Sequence, residues 1–193
     1  MSIRLGIDAS QSVASCAIST DVGIIASTTI ERPIENFPKL MRDVVAHANI
    51  CLNDIDEIVV CIGPGSQTGI RTAVVTGNAL ALALNKPVSG VLSTDAAAMI
   101  SKPNETYKVA ISAGRSRWFI EDYSWQNGKL NRLGTLKLVD DLPESINPSF
   151  YAIEEKSAND KNCAAGILMI AEQQRHLISQ LMLDEVRPYE GRD

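Results

Sequence analysis

Three glycines and a proline fall within seven residues at Gly63-Pro64-Gly65-Ser66-Gln67-Thr68-Gly69. A loop of this composition lets the backbone approach another group closely. Because an apolar run precedes it and a helical pattern follows, its N–H groups and the Ser66 and Thr68 hydroxyls would suit an anion, with Arg71 as a charged fork. The lysine of a GxxxxGK[ST] loop is missing, and the spacing also departs from GxGxxG. Spacing alone leaves two readings open, a phosphate cradle or a structural tight turn. A second candidate is Asp8-Ala9-Ser10-Gln11-Ser12. An acid at a strand end followed by hydroxyls can hold a metal-bound water and reach phosphate oxygens. The same residues also satisfy the backbone of a hairpin turn, which spacing alone favours.

The remaining chemistry-bearing residues give little. Cys16, Cys51, Cys61 and Cys163 are scattered among apolar residues with no CxxC pair, which reads as buried free thiols in a reducing compartment. His47 and His176 lie far apart in helical patterns with no carboxylates grouped beside them, so no metal site is expected. No Ser-His-Asp or Cys-His arrangement is supported by spacing, which weighs against a protease.

The elements that would position the two candidates are legible. Ile3, Leu5 and Ile7 alternate, 13–18 is β-rich, and Asp21-Val22-Gly23 turns into a third strand over 24–30. From Asn36, read as an N-cap with Pro38 in the first turn, apolar residues recur at Phe37, Leu40, Met41, Val44, Val45, Ala48 and Leu52, one face of a helix. Residues 57–62 form a nearly continuous apolar strand, as in a parallel sheet. A helix to Leu84, a short strand over 88–92 and a helix capped by Ser93-Thr94-Asp95 complete an α/β unit. Lys102-Pro103-Asn104 marks a boundary between lobes 1–102 and 103–193. Strands are expected at 107–111, 118–125 and 130–139, the last two joined by Asn127-Gly128, and at 150–153. A polar loop over 154–162 and a helix over 163–183 precede the tail at Val186-Arg187-Pro188-Tyr189. The sequence shows no internal repeat.

Composition sets limits. With 193 residues, 45% hydrophobic and 21% charged, the chain can bury a substantial core. A net charge of −5 argues against a chain that grips nucleic acid by itself. No stretch approaches a membrane span, and the N-terminal apolar run is too short for a signal peptide, so a cytoplasmic location is expected.

Strand–Asp8–x–Ser10, a meander, an amphipathic helix, Asp54-Ile55-Asp56, a buried strand and Gly63-Pro64-Gly65-Ser66-x-Thr68-Gly69-Ile70-Arg71 together resemble the TsaB (YeaZ) family. That family belongs to the actin-like ATPase and sugar-kinase superfold, with ribonuclease H-like lobes. Ala79-Leu80-Ala81-Leu82-Ala83, Pro87-Val88 and Gly90-Val91-Leu92-Ser93-Thr94 extend the likeness, which covers residues 1–100 well. Beyond, it is faint: the segment 111–119 resembles an Asp-Ala-Arg segment, and Pro188-Tyr189 with Arg192-Asp193 a C-terminal ending. The family usually has Phe at the position of Gln67, often Thr at Ala9, Asp at Ser112 and commonly Glu at Arg117.

The resemblance implies two α/β lobes, each a mixed sheet flanked by helices. It further implies a non-catalytic partner of TsaD, working with the ATPase TsaE in forming threonylcarbamoyladenosine on tRNA. The catalytic relative's paired histidines and the superfold's second-half magnesium acid have no counterpart here. Asp8, Ser10, Gly63, Gly65, Ser66, Thr68, Gly69 and Arg71 would then be a vestigial anion or nucleotide site, with at most weak adenine nucleotide binding. The partner surface would be first-lobe helices, with Leu40, Met41, Val44, Val45, Ala73, Val74, Gly77 and Ala81 at the interface, and a homodimer through the same helices. The alternative is a small ATP-binding, kinase-like enzyme of the same superfold.

Overall fold

The computed structural model describes residues 1–31, 33–101, 106–140, 150–153 and 163–173. The first sheet is built from β1 (Arg4–Asp8), β2 (Val13–Thr20), β3 (Gly23–Glu31), β4 (Glu57–Cys61) and β5 (Val88–Val91), in the order β3-β2-β1-β4-β5. The meander β1–β2–β3 is antiparallel, while β4 and β5 continue the sheet in parallel from β1. Helix α1 (Pro33–Ala48) follows β3 and α2 (Gln67–Leu84) follows β4. Together they cover the sheet face that carries Leu5, Ile7, Cys16, Ile18, Ile58 and Val60.

The helix expected from Asn36 starts earlier, at Pro33, where a proline ring is preorganised for a first helical residue. Pro38 therefore lies inside the helix rather than in its opening turn. The helix also stops at Ala48, and Leu52–Asp54 forms a separate 3-10 turn in which the Asp54 carboxylate accepts from the Cys51 N–H at 2.7 Å.

Small residues dominate the other sheet face: Gly6, Ser15, Ala17 and Ser19 lie there with Val59 and Cys61. Helix α4 (Cys163–Gln173) covers it, and helix α3 (Ser93–Ser101) packs against α4 and against the second half of the chain. A Cβ on Gly6 would lie 2.7 Å from the Ala164 carbonyl oxygen, and one on Gly166 would lie 2.6 Å from that of Ala96. These two glycines let α4 settle against β1 and α3 at once. The Ser15 hydroxyl accepts from the Ala164 N–H at 3.0 Å, and Arg4 joins Glu57 of β4 (3.3 Å) to Glu172 of α4 (3.2 Å).

The second sheet contains β6 (Thr106–Gly114), β7 (Arg117–Gln126), β8 (Lys129–Arg132), β9 (Lys137–Val139) and β10 (Phe150–Ile153), in the order β10-β6-β7-β8 with β9 also on β7. The single strand expected over 130–139 is thus two short strands on one partner. Strand β6 pairs antiparallel with β7 and parallel with β10, as β1 pairs with β2 and β4. The architecture is duplicated although the sequence shows no repeat. Two mixed sheets with this strand order define the actin-like, ribonuclease H-like α/β fold expected from the sequence.

Helix α4 belongs to the second part of the expected division into 1–102 and 103–193. This helix comes from the C-terminal half yet packs on the first sheet, because the small-residue face of β1 and β2 needs an apolar cover. The boundary at Lys102-Pro103-Asn104, the polar loop at 154–162, His176, the remainder of the helix drawn to residue 183 and the tail lie outside the described residues.

Gly6→Ala would drive a methyl group into α4. Overpacking of this kind costs about 1–3 kcal/mol. Urea unfolding is expected to show a lower midpoint at unchanged slope.

Candidate functional site

The glycine loop leaves β4 at Cys61 and enters α2 at Gln67. Ser66 is the N-cap of α2, its hydroxyl accepting from the Gly69 N–H at 3.4 Å. Across from it lies the β1–β2 turn. The Ser66 N–H donates to the Ser10 carbonyl at 2.7 Å. A Cβ on Gly65 would lie 2.2 Å from that Ser10 oxygen, and one on Gly69 would lie 1.9 Å from the Ala9 oxygen. Gly65 also has φ of +147° and Gly63 of +100°, in the region that disfavours side chains.

On its opposite side the loop is held by α3. The Gly63 carbonyl accepts from the Ser93 N–H at 2.8 Å, and the Pro64 carbonyl accepts from the Ser93 hydroxyl. The glycines therefore admit the chain's own carbonyl groups. Of the two readings left open by spacing, the tight turn accounts for Gly65 and Gly69.

The structure brings Asp8, Ser10, Gly63, Gly65, Ser66 and Gly69 together in this joint. Thr68 and Arg71, with Gln67, lie exposed on the first turn of α2. Asp8 is buried, its Oδ1 accepting from the Ser10 N–H at 3.1 Å. Burial raises its carboxyl above the ordinary carboxylate range, against the smaller opposing effect of hydrogen bonds from Cys61 and Ser10. The Ser10 hydroxyl and the Gln11 side-chain nitrogen are buried nearby without hydrogen-bond partners. Ser112, where the family usually has Asp, accepts from the Gly114 N–H at 3.2 Å within the β6–β7 turn. Among the described residues no group of three or more His, Cys, Asp or Glu could hold a metal ion.

The structure places the expected interface residues within the chain's own packing. Leu40, Met41, Val44, Ala73, Val74, Gly77 and Ala81 are buried in the chain's own core, and Val45 packs partly buried against it. A Cβ on Gly77 would lie 2.3 Å from Cγ2 of Val60, so this glycine fits α2 to its own sheet. The outward face of α2 presents Val75 (67% exposed) and Leu82 (85%), with Ala79 and Ala83 between and beside them. The thiols also differ from expectation: Cys16 and Cys61 are buried, whereas Cys51 is exposed. The Cys163 side chain lies outside the described residues.

A second polar cluster escaped the sequence reading. Ser93, Thr94 and Asp95, expected to cap α3, direct their side chains elsewhere. Ser93 holds the loop, the Thr94 hydroxyl bonds Glu121 at 2.8 Å, and buried Asp95 is paired with Arg132 of β8. The Tyr123 hydroxyl lies 2.8 Å from both Asp95 and Glu121. Glu121 and Tyr123 share one face of β7, a spacing of two that would have suggested a pair, but nothing in the sequence joins them to Asp95.

This is an actin-like ATPase fold in which the glycine loop is packed against the chain's own first turn. The chain belongs to the TsaD family, described as tRNA N6-adenosine threonylcarbamoyltransferase, whose model matches residues 10–146. The threonylcarbamoyltransferase of Rhizobium johnstonii is 30% identical over 69 residues, which is 36% of this chain and 19% of that protein. The enzyme of Nanoarchaeum equitans is 28% identical over 149 residues, 72% of this chain and 48% of that protein. The chain thus spans less than half the length of these curated relatives. Among solved structures, YeaZ from Pseudomonas aeruginosa superposes with a TM-score of 0.77 at 21% identity, covering 98% of this chain and 99% of that one. An uncharacterized protein with similarity to peptidase YeaZ from Pseudomonas aeruginosa gives 0.67 at 24% identity, covering 79% and 75%. The described residues have the fold of YeaZ.

Asp8 carries stability that is present at low pH and lost as pH rises through its raised folded-state value. Asp8→Asn, which keeps the acceptor for the Ser10 N–H, is expected to raise the melting temperature at pH 8 more than at pH 5. Thermal unfolding at the two pH values checks this, and an equal effect at both would refute the assignment.

Proposed function

We propose that this chain is a TsaB-type accessory subunit of the machinery that forms N6-threonylcarbamoyladenosine on tRNA, binding TsaD and working with TsaE. The observation that carries the reading is the outward face of α2, where Val75, Ala79, Leu82 and Ala83 form an apolar stripe on a helix already apolar toward its own sheet. A helix apolar on two sides suits one side to the core and the other to a partner. The partner surface is then this stripe rather than the buried residues first expected, and a homodimer would use the same stripe. The packed glycine loop and buried Asp8 support an accessory rather than a catalytic role. So does a net charge of −5, which leaves tRNA contact to the partner. A cytoplasmic location goes with this role, and among the described residues no helix is long and apolar enough to cross a membrane.

The second reading, a small ATP-binding enzyme of the same fold, is favoured by the unpartnered Ser10 hydroxyl and Gln11 nitrogen beside Asp8. Asp8→Ala separates the two: tRNA modification with the reconstituted proteins largely persists if the chain is accessory, and is lost in a folded variant if Asp8 serves catalysis.

The primary test is co-purification with tagged TsaD from the same source, with mass read by size exclusion. The wild-type chain is expected to form a stable complex. Val75→Glu with Leu82→Glu should abolish it at unchanged melting temperature, since both side chains stand in solvent. Pairing unaffected by the double variant would remove the interface assignment. No complex, together with magnesium-dependent ATP binding by the lone chain, would favour the enzyme.

A further inference from the structure

The Asp95–Glu121–Tyr123 cluster contains one more hydrogen bond than its hydroxyl protons can supply. Three oxygen–oxygen contacts of 2.8 Å join Thr94 to Glu121, Tyr123 to Asp95 and Tyr123 to Glu121. Thr94 and Tyr123 bring one hydroxyl proton each. Each contact needs a proton between its oxygens, so a third must reside on a carboxyl group. Asp95 is the wrong holder. Both of its oxygens accept from Arg132, Nε to Oδ1 at 2.8 Å and Nη2 to Oδ2, the bidentate geometry of an ionised carboxylate. Glu121 is only 4% exposed, and its Oε1 lies 3.9 Å from Arg132 Nε, beyond hydrogen-bond reach.

We propose that Glu121 is a protonated, uncharged acid at neutral pH, donating to the Tyr123 hydroxyl and so leaving the Tyr123 proton to bind Asp95 of α3. Tyr123 in turn donates to Asp95, and Thr94 donates to Glu121. The buried cluster then carries one negative charge on Asp95 and one positive on Arg132, with no net charge to desolvate. Burial, foremost, and the nearby Asp95 push the Glu121 carboxyl above its ordinary range, while Tyr123, Thr94 and Arg132 oppose this only in part.

The groups that face Glu121 come from three elements: Thr94 and Asp95 from α3, Tyr123 from its own strand and Arg132 from β8. On the neighbouring strand β6 the Tyr107 hydroxyl is engaged, donating to the Ala98 carbonyl at 2.8 Å. Glu172, the charged side chain among the described residues of α4, is engaged with Arg4. Raising the pH through the Glu121 titration removes this proton and sets a second carboxylate against Asp95. Stability from this group is complete below the ordinary glutamate range and is lost as pH rises through the raised value. Ser93 grips the loop carbonyls from the same helical turn that carries Thr94 and Asp95.

Infrared difference spectroscopy of the full chain at neutral pH, wild type minus Glu121→Gln, reads the proton directly. A protonated carboxyl has a carbonyl stretch that a carboxylate lacks, and the difference isolates Glu121 from buried Asp8. The expected result is a positive carboxyl band, with a fall in melting temperature between pH 6 and pH 9 that is smaller in Glu121→Gln. Tyr123→Phe removes the acceptor and is expected to shift the band to higher frequency, which keeps the test intact should Glu121→Gln not fold. Absence of the carboxyl band from the wild type, or a band unmoved by Tyr123→Phe, overturns the proposal.

Discussion

The carbonyl oxygens of Ala9 and Ser10 lie so close to α2 that only glycine fits opposite them. Gly69 and Gly65 stand there, and the Ser66 N–H closes the joint by donating to Ser10. This contact fixes the angle at which α2 leaves β4 and hence which of its faces meets the sheet. With Ala73, Val74, Gly77 and Ala81 turned inward, Val75 and Leu82 must turn outward. The same joint orients the loop carbonyls toward Ser93, and α3 thereby inherits its place. An anion-binding composition has been put to architectural use, because the close approach that glycine permits serves a strand turn of the same chain as readily as a phosphate.

Much of this was legible in the residues. The alternation of Ile3, Leu5 and Ile7 and the unbroken apolar run at 58–62 announced one strand at the sheet's centre and another buried on both faces. Asn127-Gly128 announced the β7–β8 turn, where both residues have positive φ. The cores of α1 and α2 followed from their 3.6-residue period. Helix ends were less secure: Pro33 and Pro38 both suit a first turn, and propensity alone does not choose between them.

What the sequence withheld depends on distance along the chain. Periodicity identifies the buried face of a helix but not what covers it, so Ala73 and Gly77 read equally well as interface or core. The place of Gly77 is set by Val60 of β4. Glu121 and Asp95 are separated by a whole hairpin arm, and the cluster exists only once α3 lies across β7. The duplicated strand order is likewise invisible, since the two halves share hydrogen-bond topology and not residues.

The return of α4 to the first sheet has a consequence for biosynthesis. Residues 4–91 supply every strand of that sheet, but one of its faces stays uncovered until residues 163–173 have emerged from the ribosome. At roughly 5–20 residues per second that interval lasts on the order of 4–16 seconds. Gly6, Ser15, Ala17 and Ser19 line β1 and β2 on that face, small side chains that give a nascent neighbour little to adhere to. The smallness that lets α4 settle closely at the end also protects the waiting sheet during synthesis.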